Sequence, residues 1–143
     1  MPLNKVGRQD VRRDEKGRII IPTNLFDELK DNCVDEKYPM EKGAFHVMVS
    51  MGPDGNLHIY PPSEYDRLKE DLDKKLEENG YEADWVDIAS FVEGNSYSYK
   101  VDKSRRVRLT DEICELAEIT KEVSILKQGK NLILHDKIKY VKE

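Results

Sequence analysis

The sequence predicts a mixed α+β fold built twice, as two similar halves around a helical connector. Three observations predict it. The stretch "DEKGRIIIPTNLFDELK", from Asp14, is echoed by "DKSRRVRLTDEICELAE", from Asp102. Farther along, "FHVMVSMGPDGNLHIYPPSEY" is echoed by "EVSILKQGKNLILHDKIKY". Between the halves, the apolar spacing switches from strand-like to helical. Each half therefore reads as strand, charged loop, strand, helix and hairpin. One matching motif is an ordinary coincidence; motif, helix and hairpin matching in order mark an internal repeat. The expected boundaries are residues 1–62 for the first repeat, 63–94 for the connector and 95–143 for the second repeat.

In the first half, Asp14 ends an incoming strand and Arg18 begins an outgoing one. Gly17 supplies the left-handed backbone that a tight connection needs. Ile19 to Ile21 are expected to anchor the loop in the core. Pro22 suits the start of a helix carrying Leu25, Phe26 and Leu29 inward. Pro53-Asp54-Gly55 suits a three-residue hairpin loop that closes on Gly55. Pairing Gly52 with Asn56 then gathers Val47, Val49, Met51, Leu57 and Ile59 on one face.

The connector opens with Ser63 and Asp66, spaced like a capping box. Tyr65, Leu68, Leu72 and Leu76 make a narrow apolar stripe on a helix that ends at Asn79-Gly80. "ADWVDIASFVEG" follows, too apolar to stand alone. It is expected to pack between the repeats or against a neighbouring subunit. In the second half, Thr110 is expected to cap a short helix with Ile113 and Leu116 inward. Gly129-Lys130 suits a two-residue turn that sets Val123 and Ile125 on the same face as Leu132 and Leu134.

Of 143 residues, 38% are hydrophobic and 37% charged, with a net charge of −5. Such a chain buries a modest core unless its halves join or it oligomerises. The net charge excludes a uniformly basic coat, but its distribution is uneven. Residues 1–18 are net +3, with Lys5, Arg8, Arg12, Arg13, Lys16 and Arg18 against three acids. Residues 98–108 are net +4, whereas residues 64–84 are net −5. Local sign decides whether a surface can meet phosphate.

Asp-x-x-x-Arg occurs at Asp14/Arg18 and again at Asp102/Arg106. A carboxylate and a guanidinium at that spacing can pair across the loop. Taken alone, such an exposed pair is worth about 0–1 kcal/mol and does no more than hold a turn. The recurrence and the flanking bases favour more. Arg12, Arg13, Lys16 and Arg18 cluster in one loop region, and Lys103, Arg105, Arg106 and Arg108 in the other. If the repeats pair about an approximate twofold axis, both loops share one edge. That edge would offer guanidinium groups to phosphates and to guanine O6/N7.

"DEKGRIIIP", "DKSRRVRL" and the "ITKEVSILKQGKNLILHD" tail resemble the MraZ family of bacterial transcriptional regulators, within the SpoVT/AbrB superfamily. The resemblance runs from about Gly7 to Tyr140. It implies an α+β fold of tandem pseudo-twofold SpoVT/AbrB-like swapped-hairpin units, a double-split β-barrel, with an inserted helical pair. It implies ring-forming homo-oligomers that bind double-stranded DNA at promoter direct repeats upstream of the division and cell-wall gene cluster, usually repressing it. Carried over by motif, DNA contact falls to Arg18 and Arg106, and to Lys16. Arg12, Arg13, Lys103 and Arg105 join them by charge, while Asp14 and Asp102 orient the arginines. The second copy departs from the family pattern: Arg105 stands where glycine precedes the arginine, Arg108 replaces an apolar strand residue, and Thr110 stands near an expected proline. A non-glycine left-handed residue costs about 1–2 kcal/mol, so a rebuilt second loop is expected.

No phosphate loop or metal-ligand spacing appears, so no catalytic residue, metal or small-molecule cofactor is expected. His46 and His58 lie on one hairpin face too far apart to share a metal. They read, with His135, as ordinary surface or half-buried histidines. Cys33 and Cys114 read as small buried hydrophobes in a reducing compartment. No apolar run reaches a membrane span and "MPLNKVG" lacks a signal-peptide core, so a cytoplasmic, nucleoid-associated protein is expected. The alternative is an antitoxin-like or ring-forming protein-interaction module without specific DNA readout. The acidic helix of residues 64–79 would be a docking face in that reading, or simply a solvated one.

Overall fold

The computed structural model describes residues 8–137. Lys5, the "MPLNKVG" start, and Tyr140 with the "VKE" that follows it lie outside the described residues. The elements run β1 (Arg8–Arg12), β2 (Arg18–Ile20), α1 (Thr23–Cys33), β3 (Phe45–Met51), β4 (Leu57–Tyr60) and α2 (Pro62–Glu78). They continue with α3 (Ala83–Gly94), β5 (Ser96–Val101), β6 (Arg106–Arg108), α4 (Asp111–Leu116), β7 (Glu122–Gln128) and β8 (Asn131–Asp136).

All eight strands form one antiparallel sheet in the order β1-β7-β8-β4-β3-β5-β6-β2. The two ends of that order, β1 and β2, are consecutive in the chain and joined by the short 13–17 loop. A loop of that length cannot span a flat eight-stranded sheet. The sheet must curl until its ends meet, and β1 comes to lie beside β2. The result is a nearly closed, barrel-like sheet.

The halves interlock. β1 of the first half pairs with β7 of the second, Val11 opposite Val123. β5 of the second half pairs with β3 of the first, Tyr99 opposite Val47. Two further pairings join corresponding strands, β2 with β6 around Ile19–Val107 and β4 with β8 around His58–Ile133. Each half thus completes its ladder only through the other. Both hairpins take the expected turns: the Gly52 N–H donates to the Asn56 carbonyl at 2.9 Å, and Gly129 and Gly55 carry φ of 62° and 82°.

The core sits inside the curl. Phe45, Val47, Val49, Leu57, Ile59, Ile19, Val107, Val123, Ile125 and Leu134 are fully buried, and α1 adds Leu25, Leu29 and Cys33. Phe45 stacks at a tilt on Phe26 of α1, ring centroids 5.6 Å apart.

Several local expectations are corrected. Ser63 makes no capping box: α2 begins behind Pro61, and the Ser63 hydroxyl donates to Asp35 at 2.7 Å. Asp66 instead accepts from Lys37 at 3.0 Å and the Tyr38 hydroxyl at 3.1 Å, clasping the 35–38 loop to α2. Thr110 stands at the N-cap of α4 without capping it, because its hydroxyl pairs with that of Tyr99 at 3.0 Å. Leu116 is exposed; α4 is only six residues long and buries Ile113, Cys114 and the following Ala117. Ile20 points outward and is 50% exposed, since a strand alternates its faces and Ile19 and Ile21 take the inner one. His135, expected at the surface or half-buried, is buried. α3 packs on α2 and β3 through Ala89 and Val92, and leaves Val86 and Phe91 exposed.

Phe45→Ala is expected to lower unfolding free energy by about 3–5 kcal/mol, the range for deleting a fully buried phenylalanine. Denaturant titration measures it.

Candidate nucleic-acid interface

The 14–18 loop is a turn wrapped around one carboxylate. The Gly17 N–H donates to the Asp14 carbonyl at 3.0 Å, with Gly17 at φ 80°. Asp14 Oδ1 accepts from the backbone N–H groups of Lys16 at 2.9 Å and Arg18 at 2.8 Å. Its other oxygen accepts from Arg18 Nε at 2.8 Å. The carboxylate is therefore saturated by its own loop and cannot repel an approaching anion at full strength. Arg18 keeps the four N–H donors of its terminal nitrogens, which have no partner among the described residues.

The second loop repeats this geometry and is not rebuilt. Asp102 Oδ1 accepts from the N–H groups of Ser104 at 2.8 Å and Arg106 at 3.0 Å, and Oδ2 accepts from Arg106 Nε at 2.9 Å. Arg105 simply adopts φ 65°. Its guanidinium offsets the strain by donating to the Ile21 carbonyl at 3.2 Å and to Thr23 Oγ1 at 2.6 Å. Charge-assisted hydrogen bonds are worth about 1.5–3 kcal/mol, against a strain of about 1–2 kcal/mol.

In the first half the matching contacts come from Arg13, whose Nη2 donates to the Leu109 carbonyl at 3.3 Å and to Asp111 at 2.7 Å. A Cβ on Gly17 would lie 3.0 Å from that carbonyl oxygen and 3.1 Å from Arg13 Nη2. The two loops thus exchange roles: one has an arginine before the acid and a glycine that leaves room for it. The other has Val101 before the acid and carries the arginine at the glycine's place.

The loops also grip each other's strands. The Leu109 N–H donates to the Gly17 carbonyl at 3.0 Å, and the Ile21 N–H to the Arg105 carbonyl at 2.8 Å. Between them lies the two-stranded β2–β6 ribbon, with Arg18 opposite Arg108 and Ile20 opposite Arg106. Ile19 and Val107 face inward, so the outward face is Arg18, Ile20, Arg106 and Arg108. An open cleft of about 500 Å³ beside the first loop is lined by Lys16, Arg108 and Tyr99, among others.

Of the basic residues expected from the sequence, Arg18 and Arg106 come together on this face, with exposed Lys16 and Lys103 on the flanking loops. Arg13 and Arg105 have their guanidinium groups engaged between the halves. Arg12 ends β1 opposite Glu122 and is not one of the ribbon residues. Arg108, counted in the second basic cluster but not assigned a DNA contact, and Ile20, expected in the core, both belong to the face, as the two-residue alternation of a strand starting at Arg18 or Arg106 requires.

Hydrogen bonding to the charged form holds both aspartates below the ordinary carboxylate range. For Asp14 the largest influence is the Arg18 backbone N–H. For Asp102 partial burial is the largest single influence and pushes upward. The Arg106 backbone, the Arg106 side chain and the Ser104 N–H together outweigh it. Burial pushes the Cys33 thiol up to about 12 and raises that of Cys114 as well. No group of three His, Cys, Asp or Glu residues suited to a metal occurs among the described residues. No helix among them is long and apolar enough to cross a membrane.

This defines a class: a barrel-like α+β protein whose two Asp-locked arginine loops flank a basic ribbon. The family model described as "MraZ protein, putative antitoxin-like" matches residues 6–84. A protein of Clostridium acetobutylicum named transcriptional regulator MraZ is 30% identical over 136 residues, covering 95% of this chain and 84% of its own. Bearers of the same name in Marinomonas sp. (strain MWYL1) and Nitrosomonas europaea are 29% and 28% identical, covering 88% and 94% of this chain and 76% and 82% of theirs. The chain belongs to the MraZ family.

Arg105→Ala is expected to destabilise the fold by about 2 kcal/mol, because it keeps the strained φ and loses the hydrogen bonds. Arg105→Gly, which relieves the strain, should cost clearly less in the same denaturant titration. The depressed aspartate pKa values give a second expectation. Their contribution to stability is complete above about pH 5 and is lost as pH falls through the lowered folded pKa. The stability gap between the wild type and Asp14→Asn plus Asp102→Asn should be present at pH 7 and smaller at about pH 3, where the carboxylates of the unfolded chain are mostly protonated. Denaturation midpoints at the two pH values measure it.

Proposed function

We propose that this chain is a sequence-specific DNA-binding transcriptional regulator. The single observation that carries the reading is the pair of arginines, Arg18 and Arg106, each held by its own aspartate on one outward ribbon of an otherwise acidic protein. A carboxylate bonded to Nε fixes the plane of each guanidinium and leaves its terminal edge for phosphate or guanine O6/N7. Lys16 and Lys103 add phosphate contacts from the loops, and Arg12 adds one at the periphery. Arg13 and Arg105 act by clamping the loops across the halves. The names of the relatives, transcriptional regulator MraZ, support this reading.

The finer reading follows the family resemblance. The chain is a tandem pair of swapped-hairpin units, residues 1–62 and 95–143, joined by a helical connector, residues 63–94. It assembles as a homo-oligomeric ring. It represses from direct repeats upstream of the division and cell-wall genes, in the cytoplasm at the nucleoid. The exchange of β1 and β5 between the halves supports the swapped-hairpin reading.

A second reading, a protein-interaction module without DNA readout, draws on the exposed Val86 and Phe91 of α3. Fluorescence anisotropy with DNA upstream of the chain's own operon, against a scrambled duplex, separates the two. The expected result is preference for the native duplex, a steep loss of affinity with added salt, and a loss of about tenfold or more in Arg18→Ala and in Arg106→Ala, in line with about 1–3 kcal/mol per specific arginine contact. Equal weak binding to both duplexes, unchanged in Arg18→Ala, would sink the DNA-binding reading.

A further inference from the structure

We propose that the β2–β6 ribbon reads DNA asymmetrically, with Ile20 as the specificity residue that takes up a thymine 5-methyl group. The inference rests on the DNA-binding reading above and adds a base-reading residue to it. The two halves are in matched register around Ile19–Val107, so Arg18 and Arg106 occupy equivalent places, and so do Ile20 and Arg108. The first pair is chemically identical in the two halves. The second is not: an isoleucine answers an arginine.

Ile20 is 50% exposed and sits directly opposite Arg106. Facing residues on a strand pair lie about 5 Å apart at Cβ, so this aliphatic group has Arg106 across from it and Arg18 two residues back on the same face. An apolar protein partner could cover Ile20 only by stripping water from those charges without replacing it, which is strongly unfavourable. The major groove offers a better match. Phosphates and guanine edges satisfy the arginines, and the thymine methyl is the apolar feature of the groove floor. A two-stranded ribbon is also one of the shapes that fit a major groove about 12 Å wide. Arg108, at the equivalent position, is exposed and has no acid holding it among the described residues, so the other end of the ribbon favours a guanine edge. A pseudo-symmetric protein would therefore prefer a site whose two ends differ, thymine at one and guanine at the other.

The test selects duplexes from a randomised pool with the full-length protein, then replaces each thymine of the selected site singly by uracil, which removes only the methyl. The wild type should lose about fourfold in affinity at one thymine position, the worth of one buried methyl group. Ile20→Ala should bind the thymine duplex as weakly as the wild type binds the uracil one, and show no further loss with uracil. Ile20→Val, which keeps the methyl contact, should retain the uracil effect. Both variants alter a half-exposed side chain and leave the buried Ile19 untouched. If no thymine is sensitive in the wild type, or if Ile20→Ala keeps the same sensitivity, the Ile20 assignment is overturned while DNA binding stands. If selection enriches no sequence and Arg18→Ala changes nothing, the underlying DNA-binding reading fails instead.

Discussion

The pairing of β2 with β6 is the constraint on which the rest depends. Its inner side chains, Ile19 and Val107, are fully buried at the point where the two halves meet. Burying them obliges the alternate residues to face out, and those are three arginines and an isoleucine. The same burial that closes the barrel therefore builds the basic face. Neither half can do it alone, since each contributes only one three-residue strand, and a short two-stranded ribbon is marginal in water. The exchange of β1 and β5 between the halves supplies the missing support.

The loops at the two ends of the ribbon solve one steric problem in two ways. Each needs a left-handed residue before its arginine, and each needs a guanidinium to tie down a carbonyl of the opposite half. The first loop divides the tasks between Gly17 and Arg13. The second gives both to Arg105. Hydrogen bonds to a carbonyl and a hydroxyl are large enough to offset the strain of a positive φ, so the loop keeps its shape without glycine. That shape leaves Asp102 holding Arg106 as Asp14 holds Arg18. A charge count treats Arg12, Arg13, Arg18, Arg105 and Arg106 as equals. The fold separates those that clamp from those that are presented.

The elements were legible in the sequence because they obey local rules: the period of two in β3 and β4, the Pro-Asp-Gly turn, the apolar stripe of α2. The duplicated Asp-x-x-x-Arg was legible because all its hydrogen bonds lie within five consecutive residues. Two of the failures have non-local causes. Ser63 and Thr110 each found a partner from elsewhere in the chain, Asp35 and Tyr99, that outcompeted the cap. Leu116 stayed outside because α4 turns the side of Ile113, Cys114 and Ala117 inward and Leu116 falls off that side. Ile20 was misread as core because three consecutive isoleucines look uniformly apolar, whereas a strand with one wet face must expose every second residue.

Composition, repeat and motif therefore suffice for the order of elements, the family and the two loops in which an aspartate holds an arginine. Each of these depends on residues close together in the chain. Tertiary structure alone decided which strands pair across the halves, that Arg13 and Arg105 point inward to carbonyls about eighty to a hundred residues away, and that Ile20 and Arg108 share an outward face. Those facts depend on the curl of the sheet, which is set when loop 13–17 draws the first and last strands of the order together, and no local pattern records where that closure brings a side chain to rest.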